Sequence, residues 1–328
     1  MLNVCLFGAG RIGAIHAANI AANPNAQLKY VVDVFAEAAE KIATQYGGRV
    51  GSVETALADD EINAVIIASS TDTHADLIEQ SAKHGKAIFC EKPIDLNVDR
   101  TQECIEAVKQ AGVLCLVGFN RRYDPNFTYL KSQLDGGHLG DLEMINITSR
   151  DPAPPPAKYV KSSGGLFRDM MIHDLDMARW LLGEDPVEVY ASASCLVDPE
   201  IGEQGDVDTA VVTLKTATGK LCQISNSRRA IYGYDQRIEV LGSNGMAQAG
   251  NQLENSVVMT DTTGATAAKP QHFFLERYAE AYRHELDNFI EAIAGNETLL
   301  ANEQDGLKAL LLAEAAVESV RTGQAVKL

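Results

Sequence analysis

Basic side chains are scarce in this chain: 28 lysines and arginines stand against 45 aspartates and glutamates in 328 residues, a formal net charge of −17. So acidic a surface repels a phosphate backbone and cannot release its counterions, which excludes nucleic acid as a partner. The surplus reads as a well-solvated surface and implies no chemistry of its own. Paired cysteines are missing too. Six cysteines are present (Cys5, Cys90, Cys104, Cys115, Cys195 and Cys222), none in a C-x-x-C pair, and several lie in apolar runs such as Val113-Leu114-Cys115-Leu116. They read as small buried hydrophobes of a reducing compartment, not as a disulfide framework. No apolar run approaches the ~20 residues that cross a bilayer. Residues 1–7 lack a basic stretch and a cleavage site, so a first strand is expected there and not a signal peptide. A cytoplasmic protein with no membrane partner is the expectation, and neither an internal repeat nor a low-complexity linker interrupts it.

Hydrophobic residues at 46% and charged residues at 22% are ordinary globular values, and the length suits roughly two domains. From residue 2 to about 117, apolar runs at 3–7, 28–32, 64–68, 87–90 and 113–117 alternate with helical patterns such as 12–22 and 101–110. Continuously apolar strands are those of a parallel sheet covered on both faces, so the first half reads as a doubly wound α/β domain. After Gly118 the rhythm changes. A polar turn over 120–125 leads to a helix, and the prolines of Asp151-Pro152-Ala153-Pro154-Pro155-Pro156 make a stiff surface loop. Strand-like runs follow at 143–149, 187–196, 209–216, 221–228 and 237–241, with a hairpin around Ala217-Thr218-Gly219, and helices are expected at 277–294 and 305–321. The second half is therefore α+β with an open, mostly antiparallel sheet, and the boundary falls at 119/120. An exposed sheet face invites self-association.

Gly8-Ala9-Gly10-Arg11-Ile12-Gly13 follows the first strand and opens a helix, the context a dinucleotide loop needs. Gly8 makes the tight turn, Gly10 admits a pyrophosphate to the backbone, and Gly13 lets helix pack on strand. Asp33, at the end of the second apolar run, is placed for the ribose 2′-hydroxyl, with helix N-capping as a coexisting role. No lysine or arginine occurs from 34 to 40, so NAD is expected over NADP. Ser69, Ser70, Thr71 and His74 stand at the next strand end, where they either line the cofactor or start a helix, His74 at the cleft edge or as a cap.

Glu91-Lys92-Pro93 ends another strand and directs Lys92 toward the cofactor, the alternative being an exposed turn lysine. In the stretch from Gly164 to Asp176, Asp169 and His173 are four apart and share a helix face with Asp176 and Trp180, while Met171, Leu175, Ala178 and Leu182 form an apolar face. A carboxylate and an imidazole so spaced orient a base and stabilise its protonated form; a solvated helix face is the plain alternative. Together with Lys92 they supply what alcohol oxidation requires, a cation near the hydroxyl oxygen and a base for its proton. No second histidine lies nearby, and no metal is expected.

With Gly118-Phe119-Asn120-Arg121-Arg122-Tyr123-Asp124-Pro125 and the stretch from Ser225 to Arg237, these motifs resemble the glucose-fructose oxidoreductase / inositol dehydrogenase / rhizopine-catabolism (Gfo/Idh/MocA) family from end to end, and most of all its bacterial inositol 2-dehydrogenases. The resemblance implies NAD-dependent oxidation of myo-inositol to 2-keto-myo-inositol by a Rossmann domain joined to an open-sheet domain that forms tetramers and whose final helix packs back on the first. It implies His173 as base, Lys92 polarising the oxygen and Asp169 orienting the imidazole. Arg11, Ile12 and Glu91 join the cofactor set, and Asn120, Arg122, Tyr159 and one of Tyr232 or Tyr234 join Lys92, Asp169 and His173 as contacts to the cyclic polyol. Scyllo-inositol, D-chiro-inositol and an aldohexose such as glucose stay as alternative substrates, and a non-catalytic NAD- or sugar-sensing regulator as the alternative class.

Overall fold

The computed structural model describes residues 1–328, apart from the side chains of Ala157 and Lys158. Two compact units emerge, Met1–Tyr123 with Ala281–Leu310, and Asp124–Glu280 with Leu311–Leu328. In the first, strands β1 (Leu2–Phe7), β2 (Ala26–Val32), β3 (Arg49–Val50), β4 (Ala64–Ile67), β5 (Ala87–Glu91) and β6 (Cys115–Gly118) form a parallel sheet of order β3-β2-β1-β4-β5-β6. Helices α1 (Arg11–Ala22), α2 (Ala36–Tyr46), α3 (Val53–Leu57), α4 (His74–Lys83) and α5 (Val98–Ala111) connect these strands. The order reverses beside β1, so its carboxyl end is the switch point where open α/β sheets take ligands. As the continuous apolar runs require, Val4, Leu6, Val65, Ile66, Ile88, Phe89 and Leu116 are all sealed from solvent. Asn97 starts α5 by accepting from the Arg100 amide at 3.0 Å, and Gly112 ends it in the left-handed region at φ +67°.

Among the second unit's helices are α6 (Pro125–Asp135), α7 (Ala157–Ser163), α8 (Ile172–Leu182), α9 (Pro199–Glu203) and α10 (Phe274–Arg277). Helix α11 (Ala279–Ile293) belongs almost wholly to the first unit, while α12 (Glu303–Thr322) is shared. The second sheet is built from β7 (Leu142–Arg150), β8 (Pro186–Ser194), β9 (Thr209–Thr216), β10 (Leu221–Ser227), β11 (Asp235–Gly242), β12 (Gly245–Ala249) and the terminal Val326–Lys327. Its pairs are antiparallel except β7 with β10, and β9 and β10 form the expected hairpin around Gly219, φ +96°. Burial alternates along β9 and β10, which covers one face and leaves the other to solvent.

The polar turn at Asn120, Arg121, Arg122 and Tyr123 is a buried 3-10 turn. Tyr159 stands in α7, past the proline loop. Two local expectations are corrected. The helix expected from 277 is broken at Tyr278 between α10 and α11. Residues Leu166–Met171 wind as a π-helix ahead of α8, a wider turn that no propensity announces and that is frequent at functional sites.

Candidate active site

In the first unit the glycine loop is sterically committed. A Cβ on Gly8 would stand 2.5 Å from the Ala68 backbone, and one on Gly13 would lie 2.0 Å from the Gly8 carbonyl oxygen. At Gly10 the same construction meets nothing within 4 Å. The loop is thus glycine for packing at its ends and open in the middle, beside the amides of α1, which fits a pyrophosphate. Asp33 pins the arrangement: Oδ2 accepts from the Ala9 amide at 2.6 Å and Oδ1 from the Phe35 amide at 2.8 Å. The N-cap of α2 is Phe35, so Asp33 holds the loop and its own turn and does not cap that helix.

Beyond β4, Ser69 Oγ lies 2.7 Å from Thr73 Oγ1, which donates to the Ser70 carbonyl at 2.8 Å. Ser70 precedes the short turn Thr71–Thr73, and His74 opens α4. His74 is not at a cleft edge. It is 2% exposed, with Nδ1 2.8 Å from the Pro93 carbonyl and Nε2 3.1 Å from that of Ser69. Burial lowers its pKa, against the raising effect of those two carbonyls. The ring ties the turn after β4 to the turn after β5.

Glu91 closes β5 with Oε1 2.7 Å from Nε2 of His16, a residue of α1 with no solvent exposure. Lys92 follows, half-buried, and its bond to Pro93 is cis. Asn120 is 3% exposed. The guanidinium of Arg122 pairs with Asp305 at 3.0 Å and donates to the Leu300 carbonyl, holding the turn after β6 to the start of α12.

In the second unit the Gly164 and Gly165 pair turns at φ +87° and +81°, and both oxygens of Asp206 accept from the Leu166 amide at 3.1 Å. Any Cβ on Gly165 would sit 2.6 Å from that carboxylate. From here the π-turn carries Asp169 and the first turn of α8 carries His173. Asp169 Oδ1 accepts from the Tyr159 hydroxyl at 3.0 Å, and Oδ2 lies 3.5 Å from Nη2 of Arg228. Burial, with the Asp169 charge beside it, raises the Tyr159 phenol far above its ordinary range, so it stays a donor. The expected apolar face is sealed: Met171, Leu175 and Ala178 have no exposure. Asp176, on the face for which solvation was the plain alternative, is buried, and so is Asp174. Asp174 is fully buried and accepts from Asn226 Nδ2 at 3.0 Å, while Asp176 faces Arg179 at 4.0 Å.

The two tyrosines separate clearly. Tyr232 is 40% exposed, donates to Asp235 Oδ2 at 2.7 Å and accepts from Arg150 at 3.1 Å, whereas Tyr234 is 6% exposed between the rings of Phe273 and Tyr278. Sequence reasoning passed over His16, Arg228 and Glu285. Arg228 lies within a quoted motif, but nothing in a linear pattern tells a buried arginine from its exposed neighbour Arg229. No helix is long and apolar enough to cross a membrane, and among the described residues no group of three His, Cys, Asp or Glu is arranged to hold an ion.

Residues 2–119 match the NAD-binding Rossmann fold of an oxidoreductase family, and residues 131–328 match the C-terminal alpha/beta domain of the same family. The chain is 51% identical to an inositol 2-dehydrogenase of Rhizobium meliloti over 96% of each protein. It is 45% identical to a myo-inositol 2-dehydrogenase of Thermotoga maritima, over 100% of this chain and 98% of that one. A crystal structure of scyllo-inositol dehydrogenase from Lactobacillus casei, with bound NAD(H) and scyllo-inositol, superposes with a TM-score of 0.92 at 28% identity, covering 100% of this chain and 99% of that one.

Proposed function

The chain belongs to the Gfo/Idh/MocA oxidoreductase family, whose N-terminal domain binds NAD, and from that premise we propose that it oxidises myo-inositol to 2-keto-myo-inositol (scyllo-inosose). NAD, when bound, supplies the acceptor for a hydride. In our assignment His173 takes the hydroxyl proton, Asp169 orients its imidazole, and the Lys92 ammonium stands beside the hydroxyl oxygen. Tyr159 and Tyr232, the exposed members of the expected set, serve the remaining hydroxyls; Asn120, Arg122 and Tyr234 are buried, and Arg122 is engaged by Asp305 and the Leu300 carbonyl. Residues 1–119 carry the cofactor contacts together with Lys92, and 120–328 the other substrate contacts. The observation that carries the reading is the 51% identity to an inositol 2-dehydrogenase over 96% of both chains, in a protein that holds Asp169 by two donors four residues before His173.

Scyllo-inositol is the second reading, favoured by the Lactobacillus casei enzyme that binds it. NADH formation with myo-inositol, scyllo-inositol, D-chiro-inositol and glucose decides between them. Lys92→Ala and His173→Ala should each lose turnover by at least about a hundredfold, the usual worth of a positioned acid–base group. Near-normal rates in both would refute the assignment. Tetramers, built through the exposed face of the second sheet, are part of the same proposal, and light scattering at micromolar concentration that gave a monomer would remove that part.

A further inference from the structure

Arg228 stands just past the end of β10, and its side chain is 2% exposed. A guanidinium cannot discharge its proton, so a buried one needs a counter-ion. Among the described residues Asp169 is its one ion-pair partner, with Nη2 3.5 Å from Oδ2. Tyr159, arriving from α7, donates to the other oxygen at 3.0 Å. The pair is lopsided, for the carboxylate is 14% exposed where the guanidinium is sealed. The Asp169 side chain therefore keeps some exposure while its cation lies buried.

The other charges around this turn are engaged elsewhere. Arg168 forks onto Glu314 of α12, with Nη2 2.7 Å from Oε2. Asp174 takes Asn226, Asp206 takes the Leu166 amide, and Asp176 faces Arg179, whose Nε donates to Asp185 at 2.7 Å. Asp151 lies close enough to act on Tyr159 and adds to the firmness of its phenolic proton. Within this unit, Arg228 is a buried cation held against the carboxylate.

We infer that Arg228 is a positioning residue for the oxidation: it fixes the Asp169 carboxylate and offsets part of its charge, so that the imidazole of His173 is uncharged, and able to accept a proton, near neutral pH. This rests on the assignment of Asp169 and His173 to proton transfer made above. A carboxylate beside a histidine favours imidazolium, and with nothing opposing it the base would already hold the proton it has to accept. A fixed positive charge on the far side of that carboxylate weakens the effect without removing the group that orients the ring.

The test is the pH dependence of kcat/KM for NADH formation with whichever polyol of the panel is turned over, in wild type, Arg228→Met, Arg228→Lys, Tyr159→Phe and Asp169→Asn, with the melting temperature of each. Loss of the positive charge in Arg228→Met should move the acidic limb upward by about one pH unit. Arg228→Lys should restore it. Tyr159→Phe, which leaves Arg228 in place, should move it upward by less and covers the case in which Arg228→Met does not fold. Asp169→Asn should move the limb downward while kcat falls. If the arginine and tyrosine variants lose only melting temperature and keep the wild-type limb, Arg228 is structural and the inference is overturned. An unmoved limb in Asp169→Asn would instead remove the Asp169–His173 assignment beneath it.

Discussion

Glu285 carries a prediction whose size follows from its surroundings. It lies on α11 with no solvent exposure, and neither carboxyl oxygen has a hydrogen-bond partner among the described residues. Tyr282, one turn earlier on the same helix, packs its ring 5.9 Å from that of His16, whose Nε2 meets Glu91 at 2.7 Å, and Phe89 of β5 closes the layer 4.8 Å from His16. Burial first, and the Glu91 charge second, raise the Glu285 carboxyl well above its usual value. A buried acid without donors folds in its neutral form. In the unfolded chain the same group ionises near pH ~4.3, so from there upward the unfolded state sheds a proton that the folded state keeps. The stabilisation from protonated Glu285 is complete below that point and is lost at about 1.4 kcal/mol per pH unit until the folded value is reached. Glu285→Gln removes this slope. Its amide adds a penalty for buried polar groups that is the same at every pH, so the offset between the proteins is uninformative and only its change with pH counts. Between pH 5 and 7 the variant should gain on wild type by roughly 1–3 kcal/mol, the slope acting for as long as Glu285 keeps its proton in the folded protein. Urea unfolding at pH 5, 6 and 7, with m-values compared, measures it. A constant offset across those three pH values would show Glu285 ionised in the folded protein and would refute the reasoning.

The glycine loop gives two opposed expectations. Gly13→Ala should melt lower, by about 1–3 kcal/mol of stability, because its methyl meets backbone at 2.0 Å, whereas Gly10→Ala should keep its melting temperature and lose the shift that NAD confers. Asp33→Asn keeps an acceptor for only one of the Ala9 and Phe35 amides and loses the charge, so kcat/KM for NAD should fall about tenfold while discrimination against NADP narrows, as steady-state kinetics with both cofactors would show. His74→Ala unties the turns at Ser69 and Pro93 and should raise KM for NAD by about tenfold, the cost of one lost hydrogen bond near the cofactor; an unchanged KM would make that tie irrelevant to binding.

What could be read in advance follows the range of the interactions. The βαβ rhythm, the glycine turn and the hairpin at Gly219 rest on neighbours in sequence, and all three were legible. Pairings across long separations were not. Arg122 meets Asp305, His16 meets Glu91 and Arg228 meets Asp169, and a hydropathy pattern counts each of these residues as surface. That is why burial of the polar turn from Asn120 to Tyr123 was not legible, and why a solvated face stood as the plain alternative for the face that carries Asp176. The π-turn at Leu166–Met171 was hidden for another reason: it differs from an α-turn by the closure of the backbone and not by residue type.

Exposure separates the buried ion pairs in a way that sequence could not. Arg277 and Asp124 are each 1% exposed; that aspartate also caps α6 through the Asn126 and Phe127 amides, so its charge is spent inside the fold and a structural role accounts for it. Arg228 is as deeply buried, yet its partner Asp169 keeps 14% of its side chain open. If stability alone had shaped that second pair, a sealed carboxylate with its full set of donors would serve better, because a half-open one loses attraction to solvent screening while its guanidinium still bears the cost of leaving water. The asymmetry makes sense when the less buried carboxylate is the part in use. A charge held from behind and presented forward is what a base four residues away requires, and the same argument marks Arg277 as the site where loss of charge should cost stability and leave the pH profile where it was.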